Sequence, residues 1–126
     1  MCRLQDIVPP LELCKLIPAG EFEDSAMYWG DLFGVADVFP RKCGDCDTFG
    51  VIQTERYIFP APTLQEILEE LHKHQEDVFL KWSEYAYHEW LINAYSHGRN
   101  EDYQEHDKNI ATAALKVWLQ MKGIQA

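Results

Sequence analysis

Cys43-Gly44-Asp45-Cys46 is the sharpest chemical motif in the chain. A two-residue spacer containing glycine lets two thiolates turn toward one metal ion. A structural zinc takes four ligands, however, and neither a second Cys-x-x-Cys nor a matching histidine pair follows. Cys2, Cys14, His72 and His74 complete a site only if folding carries them to Cys43 and Cys46. The competing reading is an ordinary Gly-Asp turn with incidental cysteines. A thioredoxin-like redox role asks for a motif that opens a helix after a strand, whereas this one stands among Pro, Gly and Asp.

The other reactive side chains are less organised. On a helix His72 and His74 sit about 200° apart, on different faces, which suits a solvated terminus better than a shared metal. His88-Glu89 begins like a zinc-protease motif, but Ile92 stands where the second histidine belongs. Acid–base chemistry by Glu84, His88, Glu89 or His106 needs a pocket and shifted pKa values. Neither a glycine-rich phosphate loop nor a Gly-x-Ser-x-Gly elbow is present, so the expectation is a protein without catalysis. The aromatic set Trp82, Tyr85, Tyr87, Trp90 and Tyr95 offers a different function. Such side chains combine large contact area with a polar tip, and they fit either an exposed protein-binding face or the core.

Elements that would position these residues are legible in part. Thr63-Leu64-Gln65-Glu66 is a capping box, and Leu64, Ile67, Leu68 and Leu71 follow in one stripe, with Glu66, Glu69 and Glu70 expected to face water. His72, Lys73 and His74 close that helix at its negative end. A second helix begins near Asp107 or Asn109 and runs to Met121, with Ala111, Ala114, Leu115 and Trp118 on one face. Gly123 followed by Ile124 reads as its left-handed stop. A short helix over Pro10 to Ile17, with Leu13, Leu16 and Ile17 on one face, ends at Pro18 and Gly20.

Strands are expected over Ala26–Trp29, Phe49–Phe59, Val78–Ser83 and Tyr87–Tyr95, where aromatic and β-branched residues lie between Gly, Pro and Asp. Val78, Leu80 and Trp82 alternate with Phe79, Lys81 and Ser83, and His88, Trp90, Ile92 and Ala94 share one face. One continuous helix or bent strand over residues 77–95 is the alternative. Asp31–Gly34 and Lys42–Thr48 read as loops, and Ser96–Glu101 as a turn before a short edge segment. The fold class is α+β: one domain over residues 1–126, a small antiparallel sheet packed by two or three helices, in the order αββαββα.

Composition narrows the partners. Acidic residues number 21 against 11 basic, a formal charge of -10 over 126 residues, which repels phosphate backbones and disfavours direct nucleic-acid binding. Apolar segments are too short for a secretory signal core or a membrane helix, so a cytoplasmic location with reduced thiols is expected.

Three stretches, Leu11–Glu23, Pro60–Leu68 and Ala111–Leu119, resemble a group of small proteins found in prophages and mobile elements of gut bacteria. The resemblance implies a short sheet-and-helix domain of phage-related context and transfers no catalytic residue; the Cys43–Cys46 segment is not part of the pattern. Together these readings favour a small, acidic, non-catalytic accessory protein that binds another protein through its aromatic face. A homodimer is the other use of that face. The alternatives are a DNA mimic that inhibits a DNA-binding protein, which needs carboxylates in rows at phosphate-like spacing, and a zinc protein built on Cys43 and Cys46.

Overall fold

In the computed structural model, which describes residues 7–32, 35–40, 57–75, 77–83, 88–98 and 100–124, Thr63 caps a helix as its sequence dictates. Thr63 Oγ1 accepts from the Glu66 amide at 3.4 Å, and Glu66 Oε1 accepts from the Thr63 amide at 2.8 Å. Elements before this helix are α1 (Leu11–Cys14), β1 (Met27–Leu32), β2 (Val35–Pro40) and β3 (Tyr57–Pro60); the capped helix is α2 (Leu64–His74). After it come β4 (Asp77–Ser83), β5 (Glu89–Ser96), β6 (Glu101–Asp107) and α3 (Ile110–Met121).

Ile67 and Leu71 of α2 are buried, and Leu64 and Leu68 pack against the same core. Glu66 departs from the expected solvent-facing position. Its carboxylate also accepts from Ser25 Oγ at 3.0 Å and from the Ala26 amide at 2.8 Å, so it ties the entry of β1 to the first turn of α2. The sequence reveals the local cap but not this second use, because its partners lie some forty residues away.

Asn109 caps α3 by accepting from the Thr112 amide at 3.1 Å. The helix ends as Gly123 requires: φ is +78°, Gly123 N–H donates to Gln120 O at 3.0 Å and Ile124 N–H to Leu119 O at 2.8 Å. That pair of bonds satisfies two terminal carbonyls. Between its caps α3 is buried nearly all round: besides Ala111, Ala114, Leu115 and Trp118, the residues Thr112, Ala113, Val117 and Leu119 are buried too. The expected single face was therefore too narrow, since a helix apolar on all sides belongs inside the molecule. Trp118 packs on Phe22 with ring centroids 5.0 Å apart.

Helix α1 is shorter than expected. Turn bonds from Leu16 to Leu13 and from Ile17 to Cys14 carry the chain on to Ile17. Leu13, Cys14 and Ile17 point inward, while Leu16 is 37% exposed.

Strands group into two antiparallel sheets, β2-β1-β3 and β4-β5-β6. The α+β antiparallel class therefore holds, with two three-stranded sheets among the described residues and the order αβββαβββα. Asp31 and Leu32 continue β1 rather than starting a loop, and β2 adds a strand. Of the long strand expected over Phe49–Phe59, residues 49–56 lie outside the described residues, and β3 covers Tyr57–Pro60. The described part of residues 77–95 forms two strands, pairing Asp77 with Tyr95 through Ser83 with Glu89, which is neither a continuous helix nor one bent strand.

A full-length β6 was expected only as a short edge segment. Its polar side chains hide the strand pattern because α3 satisfies them: Lys116 bonds Asp107 at 3.2 Å and Gln120 Nε2 bonds Glu105 at 3.1 Å.

The double role of Glu66 makes a quantitative prediction. Thr63→Ala removes one cap bond and is expected to cost about 1 kcal/mol in urea unfolding. Glu66→Ala strands three donors and is expected to cost about 2–3 kcal/mol. Equal losses for the two variants would show that the bonds to Ser25 and Ala26 contribute nothing.

Candidate functional site

The arrangement of α3 on the second sheet determines what stays uncovered. Val78, Leu80 and Trp82 of β4 lie opposite Ala94, Ile92 and Trp90 of β5, so all six share the sheet face that α3 packs on. Helix α3 contacts β5 and β6, and α2 meets β4. Ile92 and Ala94 are buried, but across the sheet from Ile92 and Trp90, Leu80 and Trp82 each remain 41% exposed. The Trp82 and Trp90 rings meet edge to face with centroids 5.4 Å apart. On the opposite face Phe79, beside Asn93, is 58% exposed.

These exposed groups sit on an edge strand. Among the described residues β4 pairs only with β5, so one side of its backbone has no strand partner. The sheet's other edge differs in kind, because β6 carries Glu101, Asp102, Glu105, His106 and Asp107 in seven residues. Charge of this density blunts an edge against pairing. β4 carries only Asp77 and Lys81 in the same length, with Val78-Phe79-Leu80 between them.

The structure thus brings Trp82 and Trp90 together. It places Tyr95 on the opposite face, paired with Asp77 and stacked edge-on against His97 at 4.5 Å, away from the two tryptophans. Tyr85 and Tyr87 lie outside the described residues. Phe79 and Leu80 were missed as surface candidates, although an uninterrupted apolar run in a strand bounded by charges is the signal that marks them.

Cys43 and Cys46 likewise lie outside the described residues. His72 and His74 are exposed at the end of α2, and no group of three or more metal-ligating side chains occurs among the described residues. Cys14 is fully buried, with Sγ 3.5 Å from Pro9 O, and burial pushes its thiol up to about 12 against a partial opposing effect of Trp29. A thiol held neutral in this way is a poor nucleophile and a poor metal ligand.

The acid–base candidates form open pairs. His106 Nδ1 lies 2.6 Å from Glu89 Oε2, on the sheet face away from α3. His88 is exposed, with φ of +51° at the entry to β5. A cleft of about 360 Å³ lies elsewhere, lined by Glu21, Asp24, Ser25, Glu66, Glu69 and Lys73 among others. Glu66 there is already committed to Thr63, Ser25 and Ala26, and Lys73 bonds Glu70 at 2.9 Å. Of the carboxylates on β6, Glu105 and Asp107 are engaged by Gln120 and Lys116.

No protein-family model matches the chain, and no curated protein and no solved structure matches it. No helix among the described residues is long and apolar enough to cross a membrane.

Burial of Cys14 sets a test of its own. In the native protein its alkylation at pH 8, followed by peptide mass mapping, is expected to be at least tenfold slower than in urea, on the order of what burial does to thiol reactivity. The neutral thiol favours the folded state fully below about 9 and progressively less as pH rises toward about 12, because the unfolded thiol ionises first. The Cys14→Ser variant should lack that alkaline component of the stability loss; an unchanged pH profile would assign the loss to other groups.

Proposed function

We propose that this protein is a non-catalytic binding module that accepts an extended segment of another polypeptide at the β4 edge. The observation that carries the reading is the conjunction, in one strand whose far side has no strand partner among the described residues, of an open backbone edge with the exposed side chains of Phe79, Leu80 and Trp82. Strand addition takes its affinity from main-chain bonds and its selectivity from alternate side chains. Here Leu80, Trp82 and Trp90 offer an apolar shelf on one face, and Phe79 offers a contact on the other.

The resemblance to small prophage and mobile-element proteins supplies the context for such a module: an accessory protein whose work is done by occupying a partner. Net charge supports the same division of labour. The charges of Asp77 and Lys81 cancel within β4, so the net charge of -10 is carried by the rest of the chain, where it keeps the protein dispersed and leaves the β4 edge as a surface that charge does not close to pairing.

Selection from a library of displayed random peptides tests the reading without knowledge of the natural partner. Apolar extended peptides are expected to be enriched on the wild-type protein. Phe79→Lys and Leu80→Lys, which place charge on exposed edge positions, are expected to weaken binding of those peptides about tenfold or more while leaving the circular dichroism spectrum intact. Enrichment of peptides that bind both variants as tightly as wild type would move the binding surface away from β4.

A further inference from the structure

The strand that seats on β4 can be specified further, and the argument rests on the edge reading just given. We infer that its occupant is the β4 strand of a second copy of this chain, joined across a two-fold axis into a continuous six-stranded sheet. Closed two-fold pairing is the commonest route to a homodimer, and it requires a surface that complements itself.

The residues of β4 meet that requirement in one register. In an antiparallel pair the residues directly opposite one another point to the same face of the sheet. A two-fold axis normal to the sheet therefore passes through a residue rather than between two. With the axis at Phe79, the two Phe79 side chains meet on the exposed face, Leu80 lies against the partner's Val78, and Lys81 lies against the partner's Asp77. The last contact occurs twice, so both charges of the strand are matched. With the axis at Leu80, Lys81 would face the partner's Phe79 and Asp77 the partner's Ser83, leaving both charges unmatched. Charge complementarity selects the axis at Phe79.

The rest of the surface points the same way. Two chains of charge -10 repel wherever acidic surface meets acidic surface, and the opposite sheet edge, β6, is densely acidic. β4 carries no net charge, and pairing there covers Phe79, the most exposed of the large apolar side chains among the described residues. Because the axis preserves faces, α2 and α3 of both copies lie on one side of the joined sheet. Lys81 makes no ion pair among the described residues, and Asp77 has only the exposed His97 at 3.4 Å. Each charge is thus open to its counterpart in the second copy.

Sedimentation equilibrium of the full chain over a wide concentration range tests the inference. A concentration-dependent dimer is expected for the wild type. Lys81→Asp sets two acidic pairs across the axis and is expected to raise the dimer Kd about tenfold or more. Asp77→Lys combined with Lys81→Asp restores opposite charges in the same register and is expected to recover most of the loss, which mere damage to the fold would not allow. A dimer indifferent to these substitutions overturns the inference by placing the interface elsewhere. A wild-type monomer at every concentration overturns it as well. If that monomer still selects extended apolar peptides at β4, only the second copy is excluded; if it selects none, the edge reading fails with it.

Discussion

Burial of α3 on nearly every side is the constraint from which the rest of the structure follows. A helix carrying Leu115, Val117, Trp118 and Leu119 in addition to its alanines cannot show any broad face to water, so separate elements must cover it in different directions. Sheet β4-β5-β6 takes one side, α2 another, and the α1 region a third. The amino-terminal segment is pinned there by polar bonds as well as by packing. Asn109 Nδ2 donates to Val8 O at 3.2 Å, and the Trp29 indole donates to Pro9 O at 3.0 Å. The buried side chains of both sheets and all three helices consequently form one cluster.

The same constraint creates the binding edge. An α-helix with its side chains is about 10–12 Å across, and strands are spaced by about 4.8 Å. One helix therefore covers roughly two strands. In this sheet α3 lies on β5 and β6, which leaves Leu80 and Trp82 half uncovered. The exposed apolar groups of β4 are thus a consequence of layer widths, and they lie on the strand whose far side has no strand partner among the described residues. Polar chemistry distinguishes the two sheet edges. β6 can be acidic because Lys116 and Gln120 of α3 reach it, whereas β4 is largely apolar and carries no net charge.

Local signals in the sequence were reliable wherever their partners were also local. The capping box at Thr63 and Glu66, the Asn109 cap and the Gly123 stop each involve residues within five positions, and each forms as read. Period-two alternation put Trp90, Ile92 and Ala94 on one face, and they do share it. The reading failed where a distant group changed the meaning of a residue. Polar Glu101–Asp107 did not look like a strand because the side chains that accommodate it belong to α3. Glu66 looked like a solvent-facing helix residue because nothing near it announces Ser25 and Ala26. Tyr95 is a separate case with a local cause: its odd offset from Trp90 puts it on the other side of the sheet, away from the two tryptophans.

By itself the sequence determined the α+β class, the caps and stops of the two long helices, and the alternation within β4 and β5, because these follow from backbone geometry and neighbours a turn or less away. Only the tertiary structure decided that Trp82 and Trp90 meet across neighbouring strands, and that Phe79 and Leu80 are exposed on an edge with no strand partner among the described residues. Exposure is a property of what covers a residue. Here it depended on how far one buried helix reaches across a three-stranded sheet, a distance that no local pattern encodes.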